Sequence, residues 1–196
     1  MDYLHTYPND YIRFYARDMI LHVDRDAAHL VSPKARTRIA GYFHLSDHPN
    51  ITKHPKLNGA ILVECKTLHN VVSSSAESEV AGIYHNAGIA IPIRQTLQDL
   101  NHPQPPTPLK TDNLTATGFV YDNIQEKRSE AWDMHYYWLR DHLTQQQFNI
   151  FWEKGVNNDA DYFTKHHAIK DHLARQSIFL KDKIKPIHQK LVHLFQ

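Results

Sequence analysis

The sequence predicts an α/β domain in which a mixed five-stranded sheet is flanked by helices. In the first third of the chain, three segments alternate apolar and polar residues and are joined by short connections, which is typical of antiparallel strands. Beyond residue 73 the apolar residues recur every three or four positions, which indicates a helix, and short strands then alternate with further helices. Antiparallel strands followed by alternating helices and strands predict a mixed sheet covered by helices.

The first three predicted strands cover residues 19–26, 35–45 and 60–68. In the first strand, Asp24 and Asp26 share one face, whereas Val23 lies on the other. Residues 47–56, between the second and third strands, carry two prolines and one asparagine and are predicted to form a loop.

The first long helix is predicted to begin at Ser74. Ser74 and Glu77 have the spacing of a capping box, in which the serine hydroxyl accepts a hydrogen bond from the backbone N–H of the glutamate. Val80 and Ile83 follow at helical spacing. Pro92 is predicted to kink or end this helix, because proline lacks the backbone N–H and its ring clashes with the preceding turn.

The remaining elements are predicted to alternate between strands and helices. They are a strand over 108–112, a short helix over 113–122, a helix over 129–146, a strand over 148–155 and a helix that begins within 159–167. We therefore expect three regions: a lead-in over 1–18, a domain over 19–167, and a basic amphipathic C-terminal tail over 168–196.

The composition excludes several classes of protein. The chain has 196 residues, and its 22 Lys and Arg nearly balance its 21 Asp and Glu. An apolar fraction of 41% is too high for a disordered chain. No apolar run approaches the ~18 residues of a membrane span and the N-terminus lacks a signal-peptide core, so we predict an intracellular protein, in a cytoplasmic particle or the nucleus. The single cysteine, Cys65, excludes an internal disulfide and cysteine-rich zinc sites.

Sixteen histidines suggest a metal site with imidazole ligands. They are scattered over the predicted strands, loops and helices, and no pair of them has the spacing of a zinc protease with a matching acid. His85 lies six residues beyond Glu79 and does not share its helical face. The sequence therefore predicts no catalytic metal bound by histidine.

Carboxylates are the better candidates for a metal site. Four acidic residues lie at the ends of predicted elements: Asp26 at the end of the first strand, Glu79 about one turn into the first long helix, Asp112 at the end of the fourth strand, and Asp161 in the first turn of the last helix. Ligand sites in such sheets lie at the carboxyl ends of the parallel strands. Four converging carboxylates would suit Mg²⁺, and two such ions can clamp the attacking and leaving oxygens of a phosphoryl displacement.

Two other acids compete with these candidates. Glu77 is equally acidic, but its position in the capping box explains it structurally and leaves Glu79 as the functional candidate. Asp24 shares the face of Asp26, so alternation alone does not choose between them. Each acid taken singly also fits a solvated surface carboxylate or a helix cap.

Six short segments, in this order, resemble the ribonuclease H domain of copia-type LTR-retrotransposon polyproteins. They are DAAHL (26–30), KARTRIAGYFHLS (34–46), SSSAESEVAGIYHNA (73–87), KTDNLTATGFV (110–120), SEAWDMHYYWLRD (129–141) and NNDADYFTKHH (157–167). The resemblance covers roughly residues 19–167 and implies a ribonuclease H-like fold.

The resemblance also implies which acids bind metal. It favours Asp26 over Asp24, because DAA matches the DAS of the family, and Glu79 over Glu77, because the second glutamate of the pair aligns with the catalytic one. It implies that Asp26 bridges two Mg²⁺ ions (Mn²⁺ being the alternative). The other roles that it implies are one ion for Glu79 and Asp112 and the second ion for Asp161.

The function implied by the resemblance is hydrolysis of the RNA strand of an RNA–DNA hybrid during reverse transcription. The implied partner is a reverse-transcriptase module of the same polyprotein, and residues 1–18 and 168–196 are where we expect it to dock. The lead-in resembles the segment that joins the polymerase to this domain, so we expect the chain to be part of a longer polyprotein.

Departures from the family pattern keep a second function open. The family usually has Lys where this chain has Glu130, and Tyr where it has His29. The alternative is a catalytically inactive or domesticated remnant that keeps the fold and nucleic-acid binding. A third reading keeps the fold but performs strand transfer, which four ordered acids fit less well than hydrolysis.

Further residues are candidates for contacts with nucleic acid. Lys34, Arg36 and Arg38 alternate along the second strand and would track a phosphate backbone if they share an exposed face. Asn113 is a candidate for nucleic-acid contact or for a helix cap. His166 and His167 follow Asp161 closely and are candidates for proton transfer or for exposed polar residues.

Overall fold

The computed structural model describes residues 5–49, 56–69, 72–121 and 130–182. The chain divides into two compact units, one formed by Ala16–His166 and the other by residues 1–15 together with 167–196. Among the described residues, no helix has both the length and the apolar character that crossing a membrane requires.

Within the described residues, the larger unit contains a five-stranded sheet. Its strands are β2 (Ile20–Ser32), β3 (Arg36–Ser46), β4 (Ala60–Thr67), β5 (Thr107–Thr111) and β6 (Phe148–Trp152). The spatial order is β4-β3-β2-β5-β6. Strands β2, β3 and β4 pair antiparallel, whereas β5 runs parallel to both β2 and β6. The predicted mixed sheet of antiparallel and then parallel strands is confirmed.

Strand β2 is longer than its prediction. It continues to Ser32, so the expectation that Asp26 ends the strand is wrong: Asp26 pairs with Ala40, and pairing with β3 continues to Ala28 and, after a register shift, resumes at Ser32. The strand ends only where the turn into β3 begins, with left-handed backbone at Lys34 (φ 61°) and Ala35 (φ 52°). The turn, rather than the acidic residue, therefore sets the end of β2.

The long helix α1 (Ser75–Asp99) begins as predicted. The side chain of Ser74 accepts a hydrogen bond from the backbone N–H of Glu77 at 3.1 Å. The carboxylate of Glu77 accepts from the backbone N–H and the hydroxyl of Ser73, both at 2.6 Å, instead of closing the box on Ser74. The helix does not end at Pro92, because buried residues on both sides of it, such as Ala90 and Leu97, hold the helix in the core.

The other helices of this unit follow the predicted order. They are α2 (Leu114–Val120), α3 (Glu130–Thr144), a 3₁₀ turn (Gly155–Asn157) and the four-residue α4 (Asp161–Thr164). The apolar core includes Leu21, Val23, Phe43, Ile83, Leu109, Leu139 and Ile150. Because α1 contributes Ile83 and β2 contributes Leu21 and Val23, the odd-numbered face of β2 is the face that packs on α1.

The smaller unit is built from the two ends of the chain. Strand β1 (Asp10–Tyr11) pairs antiparallel with β7 (Lys181–Asp182), and helix α5 (Ile169–Phe179) precedes β7. The side-chain amide of Gln176 donates to Oδ2 of Asp10 at 2.6 Å. The predicted amphipathic tail thus begins as a helix, while residues 183–196 lie outside the described residues.

Candidate active site

Three of the four predicted acids meet at one point. Asp26 comes from β2, Glu79 from α1 and Asp112 from the residue after β5, and one carboxylate oxygen of each lies within 4.8 Å of the others. The register explains part of this meeting. Asp24 pairs with Lys110 across the parallel strands β2 and β5, so the residues two positions further along each strand, Asp26 and Asp112, lie at the same level. Asp26 and Glu79 are buried and Asp112 is half-buried.

Neutral donors hold the carboxylate of Asp26. The hydroxyl of Thr164 donates to Oδ2, and the side-chain amide of Asn158 lies 3.4 Å from Oδ1 and donates to the carbonyl of Arg25 at 2.9 Å. Burial raises the pKa of Asp26; the hydrogen bond from Thr164 lowers it, and the charges of Asp161 and Asp112 raise it further. The acid therefore lies where an added cation would relieve both its burial and the repulsion from its neighbours.

Glu79 already has a cationic partner. Its Oε2 lies 2.6 Å from Nη1 of Arg25, and the hydroxyl of Thr111 lies 3.4 Å from the same oxygen. Burial raises the pKa of Glu79, the guanidinium of Arg25 opposes that rise, and the charges of Asp26 and Asp112 add to it. The pair is secluded from water, because the side chains of Arg25 and Glu79 are 0% and 5% exposed.

The segment after β6 shapes the space around Asp112. A Cβ atom at Gly155 would lie 2.9 Å from Oδ2 of Asp112, closer than real Cβ contacts allow. The indole N–H of Trp152 donates to the backbone carbonyl of Asp112 at 2.9 Å. The absence of a side chain at Gly155 therefore leaves the room that the carboxylate of Asp112 occupies.

The fourth predicted acid, Asp161, is not part of the group of three that the described residues form. It begins α4 and forms an ion pair with Lys165 one turn later. Its charge nevertheless contributes to the raised pKa of Asp26. Partial burial lowers the pKa of Lys165, but the hydrogen bond to Asp161 and the neighbouring carboxylates outweigh it, so the net shift is upward.

The two competing acids have other partners. Asp24 forms an ion pair with Lys110, with 3.1 Å between Oδ1 and Nζ, and Glu77 caps the start of α1. Among the described residues, neither belongs to the group of potential metal ligands, which contains carboxylates and no imidazole.

Sequence reasoning missed Arg25 and Thr164. Arg25 is a charged residue on the face of β2 that otherwise carries the apolar Val23 and Ala27, and a charge on a core-facing position needs a buried counter-ion. That signal was readable in the alternation of VDRDAA. Thr164 lies inside the segment NNDADYFTKHH, but nothing in its spacing indicates a contact with Asp26, which is 138 residues away.

The residues predicted to contact nucleic acid lie in two places. Lys34 is exposed in the turn before β3, and Arg36 and Arg38 lie on that strand, partly exposed, at alternate positions that share one face. Asn113 caps α2, since its Oδ1 accepts from the backbone N–H of Ala116 at 2.9 Å. The described structure therefore assigns Asn113 the capping role that the sequence left open.

The donor set fits a hard divalent cation. Three carboxylate oxygens within 4.8 Å of one another are the type and number of ligands that Mg²⁺ takes from a protein, with water and substrate phosphate completing the shell. The guanidinium of Arg25 already neutralises the charge of one of these carboxylates, Glu79.

No protein-family model matches the chain, and no curated protein matches it in sequence. Its structure is similar to the N-terminal RNase H domain of Rv2228c from Mycobacterium tuberculosis, with a TM-score of 0.50 and 11% identity over 74% of this chain and 91% of that one. For LC11-RNase H1 from a compost metagenome the TM-score is 0.49 at 7% identity, covering 74% and 90% of the two chains. For RNase H1 of Halobacterium salinarum it is 0.46 at 14% identity, covering 74% and 93%. The first of these similarities and the strand order β4-β3-β2-β5-β6 together show that the chain has the ribonuclease H-like fold.

Proposed function

We propose that this chain is an endonuclease that hydrolyses the RNA strand of RNA–DNA hybrids with the help of divalent cations. The observation that carries the proposal is the meeting of Asp26, Glu79 and Asp112 within 4.8 Å, beside the central strand β2 of a ribonuclease H-like sheet. We assign Asp26, Glu79, Asp112 and Asp161 as the acids of the metal site. Bound Mg²⁺ or Mn²⁺ would supply an acidified water and neutralise charge on the leaving oxygen.

The residues of the chain would position that chemistry. Thr164 and Asn158 orient the carboxylate of Asp26 through neutral hydrogen bonds, which leaves its charge available to a cation. Gly155 keeps the space that Asp112 needs. The ammonium group of Lys165, half exposed beside Asp161, would attract a phosphate of the substrate.

Recognition of the hybrid would depend on its shape. Proteins distinguish such duplexes through backbone geometry and the 2′-hydroxyl groups of RNA rather than through base sequence. Lys34, Arg36 and Arg38 would contact the phosphate backbone, because the turn exposes the first and the other two share a strand face. A net charge of +1 favours at most a local basic patch, so such contacts would be local.

The six ordered segments support an origin in a copia-type retrotransposon polyprotein. In that setting a reverse-transcriptase module of the same polyprotein would be the partner, and it would dock on the unit built from the two ends of the chain. The regions proposed for docking remain residues 1–18 and 168–196, which flank the nuclease domain of residues 19–167.

One observation favours the alternative, a remnant that keeps the fold without turnover. Arg25 places a fixed positive charge on Glu79, one of the three acids of the cluster. In a site with this ion pair, the charge of one of the three carboxylates is already neutralised, which makes a weaker set of ligands for a hard cation.

The test is cleavage of a labelled RNA–DNA hybrid in Mg²⁺ by the purified chain beside Asp112→Asn. We expect the parent chain to cleave the RNA strand and the variant to lose at least about 100-fold in rate, since even partners of metal ligands cost about 10–100-fold when removed. Asp99→Asn is the matched control, because Asp99 is exposed at the end of α1 and bonds Gln95. Equal cleavage rates for Asp112→Asn and the parent chain would refute the proposed site. If the parent chain binds the RNA–DNA hybrid but does not cleave it, the alternative is favoured.

A further inference from the structure

We propose that Arg25 competes with the divalent cation for Glu79, so that this chain holds a cation mainly through Asp26 and Asp112 and binds it weakly. The inference rests on the proposed function, since it takes the acidic cluster to be a cation site. It assigns Arg25 a role as the residue that sets the cation affinity of the site.

The geometry ties Arg25 to Glu79 at two points. Nη1 of Arg25 lies 2.6 Å from Oε2 of Glu79 and also donates to the backbone carbonyl of Glu79 at 3.0 Å. Gly82, one turn further along α1, accommodates the guanidinium: a Cβ atom there would lie 3.1 Å from the same Nη1 atom. The guanidinium of Arg25 therefore packs against α1 and does not approach Glu79 from the protein surface.

Among the described residues, the carboxylate of Glu79 is the only anionic group that forms an ion pair with Arg25. Its side chain is fully buried, and in the part of the chain that the structure describes its Nε and Nη2 atoms have no hydrogen-bond partner. A cation that takes the carboxylate of Glu79 would leave this guanidinium buried without an anion, and an unpaired buried charge is strongly unfavourable. The cation must therefore overcome the ion pair before Glu79 can serve as a ligand.

Asp26 does not present the same obstacle. Its carboxylate is hydrogen bonded by the neutral groups of Thr164 and Asn158, so a cation can bind it without separating an ion pair. Glu79 and Asp26 differ in this way because Arg25 and Asp26 lie on opposite faces of β2. Arg25 lies on the α1 side of β2 and reaches Glu79, while Asp26 lies on the other side of the same strand.

The experiment measures Mn²⁺ affinity by calorimetry on the full chain, independent of nuclease activity. Arg25→Met keeps an unbranched side chain of similar length and removes the competing charge, so we expect it to bind Mn²⁺ about tenfold more tightly than the parent, within the range by which neighbours of metal ligands change affinity. The gain should disappear in the double variant Arg25→Met/Glu79→Gln, because it depends on releasing Glu79.

Single isosteric variants test the same inference without disturbing Arg25. With the arginine in place, Glu79→Gln should change Mn²⁺ affinity less than about twofold, since Gln still accepts from Arg25, whereas Asp112→Asn should abolish binding. Arg94→Met is the matched control for losing a buried arginine: Arg94 bonds the carbonyl of Pro105 at 2.6 Å and the hydroxyl of Thr107 at 2.5 Å, in the second half of α1, and its loss should leave Mn²⁺ affinity unchanged.

The outcomes separate this inference from the proposed function. If Glu79→Gln weakens Mn²⁺ binding as much as Asp112→Asn does, the cation already uses Glu79 and the inference is overturned while the metal site stands. If Arg25→Met folds and gains no affinity, the inference is likewise overturned. Absence of Mn²⁺ binding in the parent chain and in every variant would remove the proposed metal site itself and the inference with it.

Discussion

Oδ1 of Asp24 lies 3.1 Å from Nζ of Lys110, the residue that pairs with Asp24 in register across the parallel strands β2 and β5. Both side chains are buried, and Nζ of Lys110 also donates to the carbonyl of Asn157 at 3.0 Å. Asp24 therefore has a structural role, joining β2 to β5 through Lys110, although it shares a strand face with Asp26 and lies only two residues away.

We expect Asp24→Asn to lower the free energy of unfolding by about 3 kcal/mol, because removing one member of a buried ion pair leaves the other charge uncompensated. Glu153, with Oε2 at 4.0 Å from Nζ of Lys110, should offset part of that loss. Chemical denaturation measures the change, and Mn²⁺ affinity should stay at the parental value. A variant of full stability that loses cation binding would instead make Asp24 a site residue.

Asp26→Asn should have the opposite effects: a higher free energy of unfolding and loss of Mn²⁺ binding. Burial raises the pKa of Asp26, so its charged form is unfavourable in the folded state, and that penalty is absent at low pH and grows as the pH rises through the folded pKa. We expect the variant to be about 0.5–2 kcal/mol more stable than the parent at pH 7, as is common where function costs stability, and equal to it near pH 3. Loss of cleavage and of Mn²⁺ binding should accompany the gain.

Equal destabilisation of Asp26→Asn at both pH values would contradict that expectation, because it would mean that the carboxylate contributes to folding. Thr164→Val gives a second check, since it removes the hydroxyl that bonds Asp26 without changing the charge.

The contrast between Asp24 and Asp26 also marks how far sequence reasoning reaches. Alternation placed both acids on one face of the first strand, and the fold class followed from the change of period after residue 73, because both patterns are local. Alternation did not distinguish the two acids, since the distinction depends on Lys110, which lies far along the chain. Arg25 shows the same limit: its counter-ion Glu79 is 54 residues away, on a different element.

Contacts between distant residues also account for the two errors in element boundaries. Asp26 does not end β2 because pairing with β3 stabilises the strand beyond it, and Pro92 does not end α1 because core contacts on both sides outweigh the lost hydrogen bond. Local propensity predicted each boundary, and tertiary packing decided it.

We expect Pro92→Ala to raise the free energy of unfolding by about 1–3 kcal/mol, because Pro92 is exposed and its substitution restores a helical N–H. Chemical denaturation measures the change.

Buried His44 predicts a pH dependence that is unrelated to the acidic cluster. Burial lowers the pKa of His44 to about 4; the charge of Asp24 opposes this shift, and His22 and Lys110 add to it. Because the folded pKa is below the unfolded value, the unfolded state binds more protons, so stability is full above about pH 6.5 and is lost as the pH falls toward 4. A shift from 6.5 to about 4 corresponds to a loss of about 3 kcal/mol.

His44→Gln should remove most of that pH dependence, measured as the free energy of unfolding at several pH values between 4 and 7. His48→Gln is the matched control, because His48 is exposed and should leave the profile as it is in the parent. If the two variants have the same profile, the acid loss comes from other groups. Asp26 and Glu79 act in the opposite direction, since their raised pKa values make the folded state bind more protons at low pH.

Gly155, in the segment after β6, leaves the space that the carboxylate of Asp112 occupies. A Cβ atom at this position would lie 2.9 Å from Oδ2 of Asp112, so Gly155→Ala must displace the carboxylate or the segment after β6. We expect Mn²⁺ affinity to fall about tenfold, the lower end of the effect of disturbing a ligand's surroundings, with a proportionate loss of cleavage. Gly88→Ala is the control, because a Cβ atom there meets nothing within 4 Å and alanine should stabilise α1 by about 0.5–1 kcal/mol. Unchanged Mn²⁺ affinity in Gly155→Ala would show that Asp112 can bind the cation from a different position and that the space at Gly155 does not control the site.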